Sequence, residues 1–153
     1  MEKTNSYTYF SIGGKGEIGP GGLFADKRAI FNPDDITGLL GIKPFSSWNY
    51  GDVRKNGSKY LFSNWSAEKS NVGRLDVAAQ CMDTIKNLKN KISLLKEIEE
   101  QYDVHFVIMI VPSIYGEEQP FINFNEEVIE FCYLTGTTID VDMYIYSEEI
   151  ESI

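Results

Sequence analysis

The chain has 153 residues, 42% hydrophobic and 13% aromatic, which excludes disorder and fits one domain spanning 1–153 that buries roughly 68–70% of its unfolded surface. Fourteen basic against 23 acidic residues leave a net charge of −9. That balance argues against a nucleic-acid partner, which needs a basic surface to displace counterions, and against anionic membranes; it suits a basic protein partner.

The opening Met1-Glu2-Lys3-Thr4-Asn5-Ser6 lacks the basic and then apolar pattern of a signal peptide. The longest apolar run, Phe106 to Pro112, is far short of the ~20 residues that span a bilayer. A soluble cytoplasmic protein is the expectation.

Residues 6–13 are rich in aromatic and β-branched types and predict a first strand. A glycine-rich loop follows, and residues 23–31 are read as a second short strand. Phe31-Asn32-Pro33-Asp34-Asp35-Ile36 then opens an apolar stretch that ends at Gly41. An aromatic precedes Asn, a side chain suited to capping a helix; acids fill the first turn and a glycine supplies the stop, so a helix is predicted over 33–40. Pro33 is harmless there because a first-turn N–H has no helical partner.

Ile42 to Trp48 reads as an extended edge segment. Asn56-Gly57 is a hairpin turn signal, with Lys59 to Ser66 as the return strand. Leu75, Ala78, Met82, Ile85, Leu88, Ile92, Leu95, Ile98 and Tyr102 recur at steps of three and four, the stripe of one long helix over 75–101. Asn87 and Asn90 are the points at which it would kink or break.

His105 to Ile114 is almost wholly apolar and predicts a central strand. Phe124-Asn125-Glu126-Glu127-Val128-Ile129 repeats the earlier aromatic-Asn-acid pattern and ends at Gly136, which predicts a helix over 126–134. Thr138 to Tyr146 alternates Ile139, Val141, Met143 and Ile145 with Asp140, Asp142, Tyr144 and Tyr146, a strand with one buried and one wet face. The fold expected is α+β: an antiparallel or mixed sheet of about five strands, with one long and two short helices on one face, built from two related strand-helix-strand units.

Few residues suggest chemistry. Gly14-Lys15-Gly16-Glu17-Ile18-Gly19 matches a dinucleotide fingerprint, but Pro20-Gly21-Gly22 cannot start the helix that such a site needs. Asp140 and Asp142 share one strand face, with Asp103 or Glu148 as possible neighbours. Paired carboxylates can act as acid and base or hold a divalent ion, although alternate acids on a strand are more often its solvent side. His105, the only histidine, has no obvious nucleophilic partner. Cys81 and Cys132 lie among apolar neighbours and read as buried thiols, so neither a disulfide framework nor a zinc site is expected.

Trp48, Tyr50, Tyr60, Phe62 and Trp65 crowd one hairpin, with Asp52, Arg54 and Lys59 between them. Aromatics interleaved with polar groups suit a protein-binding hot spot or a ligand groove; the plainer reading is a sheet packed under the long helix.

Several of these stretches form an ordered series: Phe31-Asn32-Pro33-Asp34-Asp35-Ile36 through Gly41 to Pro44, then Trp48, Gly51-Asp52 and Trp65. Tyr102-Asp103-Val104 and Ile139-Asp140-Val141-Asp142-Met143-Tyr144 complete it. The series resembles the family called domain of unknown function 4279, with a glycine-rich segment 13–30 longer than the family's usual join. The resemblance implies a small bacterial family with no assigned activity, no catalytic residues and hence no site residues to carry over.

The reading that follows is a non-enzymatic binding protein without a cofactor, most concretely an immunity protein that neutralises a toxin by masking a basic surface. Trp48, Asp52, Trp65, Asp140 and Asp142 are the candidate contact residues. The alternative is a small-ligand or metal-binding regulatory domain with the 48–65 hairpin as a pocket wall. Oligomeric state is left open by the sequence.

Overall fold

The computed structural model describes residues 2–15 and 30–147. The elements run in the order β1 (Asn5–Gly14), α1 (Pro33–Leu40), β2 (Ser46–Trp48), β3 (Asn64–Ser66), α2 (Val77–Ile85), α3 (Ile92–Tyr102), β4 (Val104–Tyr115), α4 (Glu126–Thr135), β5 (Thr138–Val141) and β6 (Tyr144–Tyr146). The strands form one mixed sheet in the order β2-β3-β1-β4-β5, with β6 also on β4.

The long central pair, β1 and β4, is antiparallel and sets which side chains share a face. Ile12 lies across from Phe106, Phe10 from Ile108 and Thr8 from Ile110. These residues are fully or almost fully buried, and the helices cover them. Phe10 meets Phe131 of α4 edge-on with ring centroids 6.2 Å apart. Thr8 Oγ1 lies 2.7 Å from Thr84 Oγ1 of α2, and Gln80 Nε2 donates to the Ser6 carbonyl at 2.9 Å. Trp65, across from Ile12, donates its Nε1–H to Thr37 of α1. The helices thus share one face of the sheet, as the sequence predicts.

Both Asn-capped helices form where their repeated pattern sits. Asn32 Oδ1 accepts from Asp34 N and Asn125 Oδ1 from Val128 N, each at 3.0 Å. Gly41 and Gly136 end the helices at φ of +65° and +71°, a conformation that a Cβ disfavours. The two units are related but not identical. β4 and β5 are adjacent and parallel, whereas β1 and β2 each pair antiparallel with β3, so they run the same way with a strand inserted between them.

The predicted long helix is two. α2 stops at Ile85, turns occupy 86–90, and α3 restarts at Ile92. Asn87 and Asn90 both fall in this break, where their side chains compete with the helical backbone. Leu88 is still only 2% exposed, so the apolar stripe continues across the interruption. The break lets α2 pack on β1 while α3 packs on β4 and α1.

The predicted return strand Lys59–Ser66 is shorter than expected, with only 64–66 in the sheet. The Asn56-Gly57 turn does form: Arg54 N donates to the Ser58 carbonyl at 2.7 Å and Gly57 has φ of +86°. Thr138 to Tyr146 follows β4 in constant parallel register, from Val107 beside Thr138 to Tyr115 beside Tyr146. Its expected buried side is buried only at the start. Ile139 packs against the core, but Val141, Met143 and Ile145 are exposed because the strand outruns the hydrophobic cluster. The predicted strand at 23–31 and the reading of 13–30 as hairpin or loop fall mostly outside the described residues.

Candidate binding face

The side of the sheet opposite the helices presents the odd-numbered residues of β1. Tyr7 and Tyr9 are half-buried with rings stacked 6.3 Å apart. Tyr9 lies across from Met109, which lies beside Asp140; Tyr7 lies across from Val111. Further along, Tyr115 and Tyr146 stack at 4.6 Å with their rings almost parallel. The face is therefore a tyrosine-rich surface with apolar side chains between the rings.

Asp140 of the edge strand β5 and Asp142, between β5 and β6, border this face, and both are exposed. Tyr144 Oη donates to Asp142 Oδ2 at 3.0 Å, and this bond is the main reason the Tyr144 phenol is held above its ordinary pKa. Burial, then the neighbouring Tyr7 and the Asp142 carboxylate, raise Tyr9 likewise. Asp103, considered as a third carboxylate, is six residues back along the chain from Met109, roughly 20 Å at ~3.3 Å per residue, and pairs with Lys15. Glu148 lies outside the described residues. Among the described residues no group of three or more His, Cys, Asp or Glu is placed to hold a metal ion.

At the opposite edge, Trp48 stacks on Tyr60 at 4.4 Å and meets Phe62 edge-on at 5.6 Å. The Arg54 guanidinium lies 4.5 Å above the Tyr60 ring, giving a stack of cation, phenol and indole. Trp48 Nε1 is enclosed and has no acceptor among the described residues. Tyr7, Tyr9, Phe45, Ser46, Trp48, Ser66, Ala67 and Lys69 line a cleft of about 250 Å³ here.

The sequence candidates thus divide. Asp140 and Asp142 come together at one edge of the open face, and Trp48 stands near the other. Asp52 is exposed on the adjoining loop, where its Oδ2 accepts from Asn49 N at 2.7 Å and fixes the turn. Trp65 is on the helix side, with no exposed surface, so it is a core residue and offers nothing to a partner. Its neighbour Trp48 faces the other way because successive strand residues alternate.

Tyr7, Tyr9, Phe45, Lys69 and Met109 belong to the face but were not among the sequence candidates. The alternation Tyr7-Thr8-Tyr9-Phe10 separates the two sides of β1, yet aromatics on both sides hide which is covered. Lys69 comes from an irregular segment with no pattern to mark it.

His105 lies outside the tyrosine cluster, packed over Gly13. A Cβ on Gly13 would meet its Cε1 at 3.2 Å, so the glycine permits the close approach. Loss of hydration lowers the His105 pKa, opposed by a hydrogen bond with the Gly14 backbone and, more weakly, by Asp140. Of the dinucleotide-like stretch only Gly14 and Lys15 are described. Gly14 ends β1, and Lys15 N donates to the Asp103 carbonyl at 3.1 Å. Among the described residues no helix is long and apolar enough to cross a membrane.

No curated protein and no solved structure matches the chain. The sequence pattern of a family described as a domain of unknown function, number 4279, matches residues 4–146, which contain the whole sheet and the four helices above it. The chain belongs to that family.

Proposed function

We propose that this protein acts by binding and not by catalysis, in the cytoplasm, and most concretely as an immunity protein that neutralises a toxin by covering a basic surface. The observation that carries this reading is the sheet face that no described helix covers, on which tyrosines lie next to Asp140 and Asp142. Tyrosine supplies large contact area at low conformational cost and is enriched at interface centres. The surplus of nine acidic charges would steer a basic partner to the molecule, and close ion pairs across such interfaces couple by about 1.5–7 kcal/mol.

The test is affinity capture with the full chain from its native cell, followed by reconstitution with the purified partner. A basic protein that binds stoichiometrically, is released by high salt and loses its toxicity in the complex supports the reading. A partner that is acidic, or binding indifferent to salt, counts against it.

A second reading, a small-ligand or metal-binding regulatory domain, is favoured in its ligand form by the cleft beside Trp48.

A further inference from the structure

The cleft at the β2–β3–β1 end of the open face carries a cation in an otherwise acidic protein. Lys69 Nζ sits 4.4 Å from the Tyr7 ring centroid and 5.3 Å from that of Phe45. Among the described residues no carboxylate pairs with it. The backbone around Lys69 is nevertheless fixed: Ala67 N donates to the Phe10 carbonyl at 2.9 Å and Ser70 N to the Thr8 carbonyl at 2.8 Å. Phe45 N is likewise tied to the Ser66 carbonyl at 2.9 Å.

The remaining lining is apolar wall and neutral donor. Tyr7, Tyr9, Phe45 and Trp48 are aromatic, and the Ser46 hydroxyl bonds to no other described residue. The Trp48 indole N–H is enclosed and has no acceptor among the described residues, so the donors counted for the cleft are the Lys69 ammonium and the Ser46 hydroxyl. Such a lining offers donors to an acceptor-rich group and flat apolar surface to whatever carries it. A volume of about 250 Å³ is below the ~300–1,000 Å³ of drug-sized pockets, so the occupant is a small metabolite.

We propose that this cleft binds a small organic anion, a carboxylate or phosphate group on a flat apolar body, with Lys69 neutralising the charge and Phe45, Tyr7 and Trp48 enclosing the body. The proposal rests on the second functional reading and makes its ligand class specific. It is independent of the acidic edge at Asp140 and Asp142.

The experiment is titration of the full chain with benzoate and phenyl phosphate, and with benzamide as the neutral control, read by tryptophan fluorescence and thermal midpoint. The expected result is saturable binding of at least one anion, about tenfold or more tighter than benzamide, because a hydrogen bond to a charged group contributes at least that factor. Lys69→Met, at an exposed position whose loss leaves the fold intact, should weaken the anion about tenfold and leave benzamide unchanged. Ser46→Ala should weaken the anion less, and Phe45→Ala should weaken both probes.

Benzamide binding as tightly as benzoate, or an anion affinity unmoved by Lys69→Met, overturns the anion assignment and leaves the ligand-binding reading standing. Absence of saturable binding by all three probes overturns both.

Discussion

Trp65 Nε1 donates to Thr37 Oγ1 at 3.0 Å, and this one bond fastens the middle of α1 to the short strand β3. It explains why Trp65 has no accessible surface although the same hairpin displays Trp48. Thr37→Val keeps the shape but leaves a buried indole N–H without an acceptor, so a loss of about 1–3 kcal/mol is expected in denaturant unfolding. In a Trp65→Phe background the same substitution should cost less, because only the Thr37 Oγ1 bond to the Pro33 carbonyl is then lost. Equal costs in the two backgrounds would show that the bond does not couple α1 to the sheet.

Burial raises the Cys81 thiol pKa to about 12, whereas Cys132 is raised without full enclosure. The thiolate is the reactive form, so Cys81 should be silent to alkylating reagents at neutral pH until α2 leaves the sheet. Mass-resolved labelling across a denaturant series should show Cys81 modification following unfolding, with Cys132 modified earlier. Prompt labelling of Cys81 in the native protein would contradict the packing of α2 on β1.

His105 has its pKa lowered from the ordinary 6.5, chiefly by loss of hydration where the ring packs on Gly13, although the residue as a whole is exposed. The unfolded chain therefore takes up the proton first as pH falls. The stabilising contribution is complete above pH 6.5 and is lost as pH drops through the lower folded value. The unfolding midpoint of the native chain minus that of His105→Gln should fall as pH is lowered from neutral to mildly acidic values. A difference that rises on acidification would reverse the assigned sign.

Asp140 and Asp142 border the tyrosine face and are exposed, so replacing both with Lys should leave the thermal midpoint within a few degrees of the native value. The same double substitution reverses the local charge and should slow association with a basic partner, most of all at low salt. Unchanged partner association at low ionic strength would remove the acidic edge from the interface.

Much of the local structure is legible in short stretches of the chain. The two aromatic-Asn-acid-glycine patterns locate α1 and α4 within a residue, because caps and stops act through atoms only a few positions apart. The apolar run of β4 and the alternation from Thr138 to Tyr146 likewise mark strands, although β4 is fully covered on one face only and Ile139 alone of the later segment's apolar side packs on the core.

Other features depend on neighbours distant in the chain. Asn87 and Asn90 mark where the stripe over 75–101 could break, but the stripe itself continues through Leu88, and which strand each half covers is set by packing. Trp48 and Trp65 look equivalent in the hairpin, but one faces Tyr7 and Tyr9 and the other faces Thr37, according to a register fixed by β1. Tyr7, Phe45 and Lys69 are far apart in sequence, and only the pairing of β1 with β3 and of β3 with β2 gathers them at one cleft. Capping is a local interaction that adjacent residues can encode; a binding face is made by long-range strand pairing, whose partners no short stretch of sequence specifies.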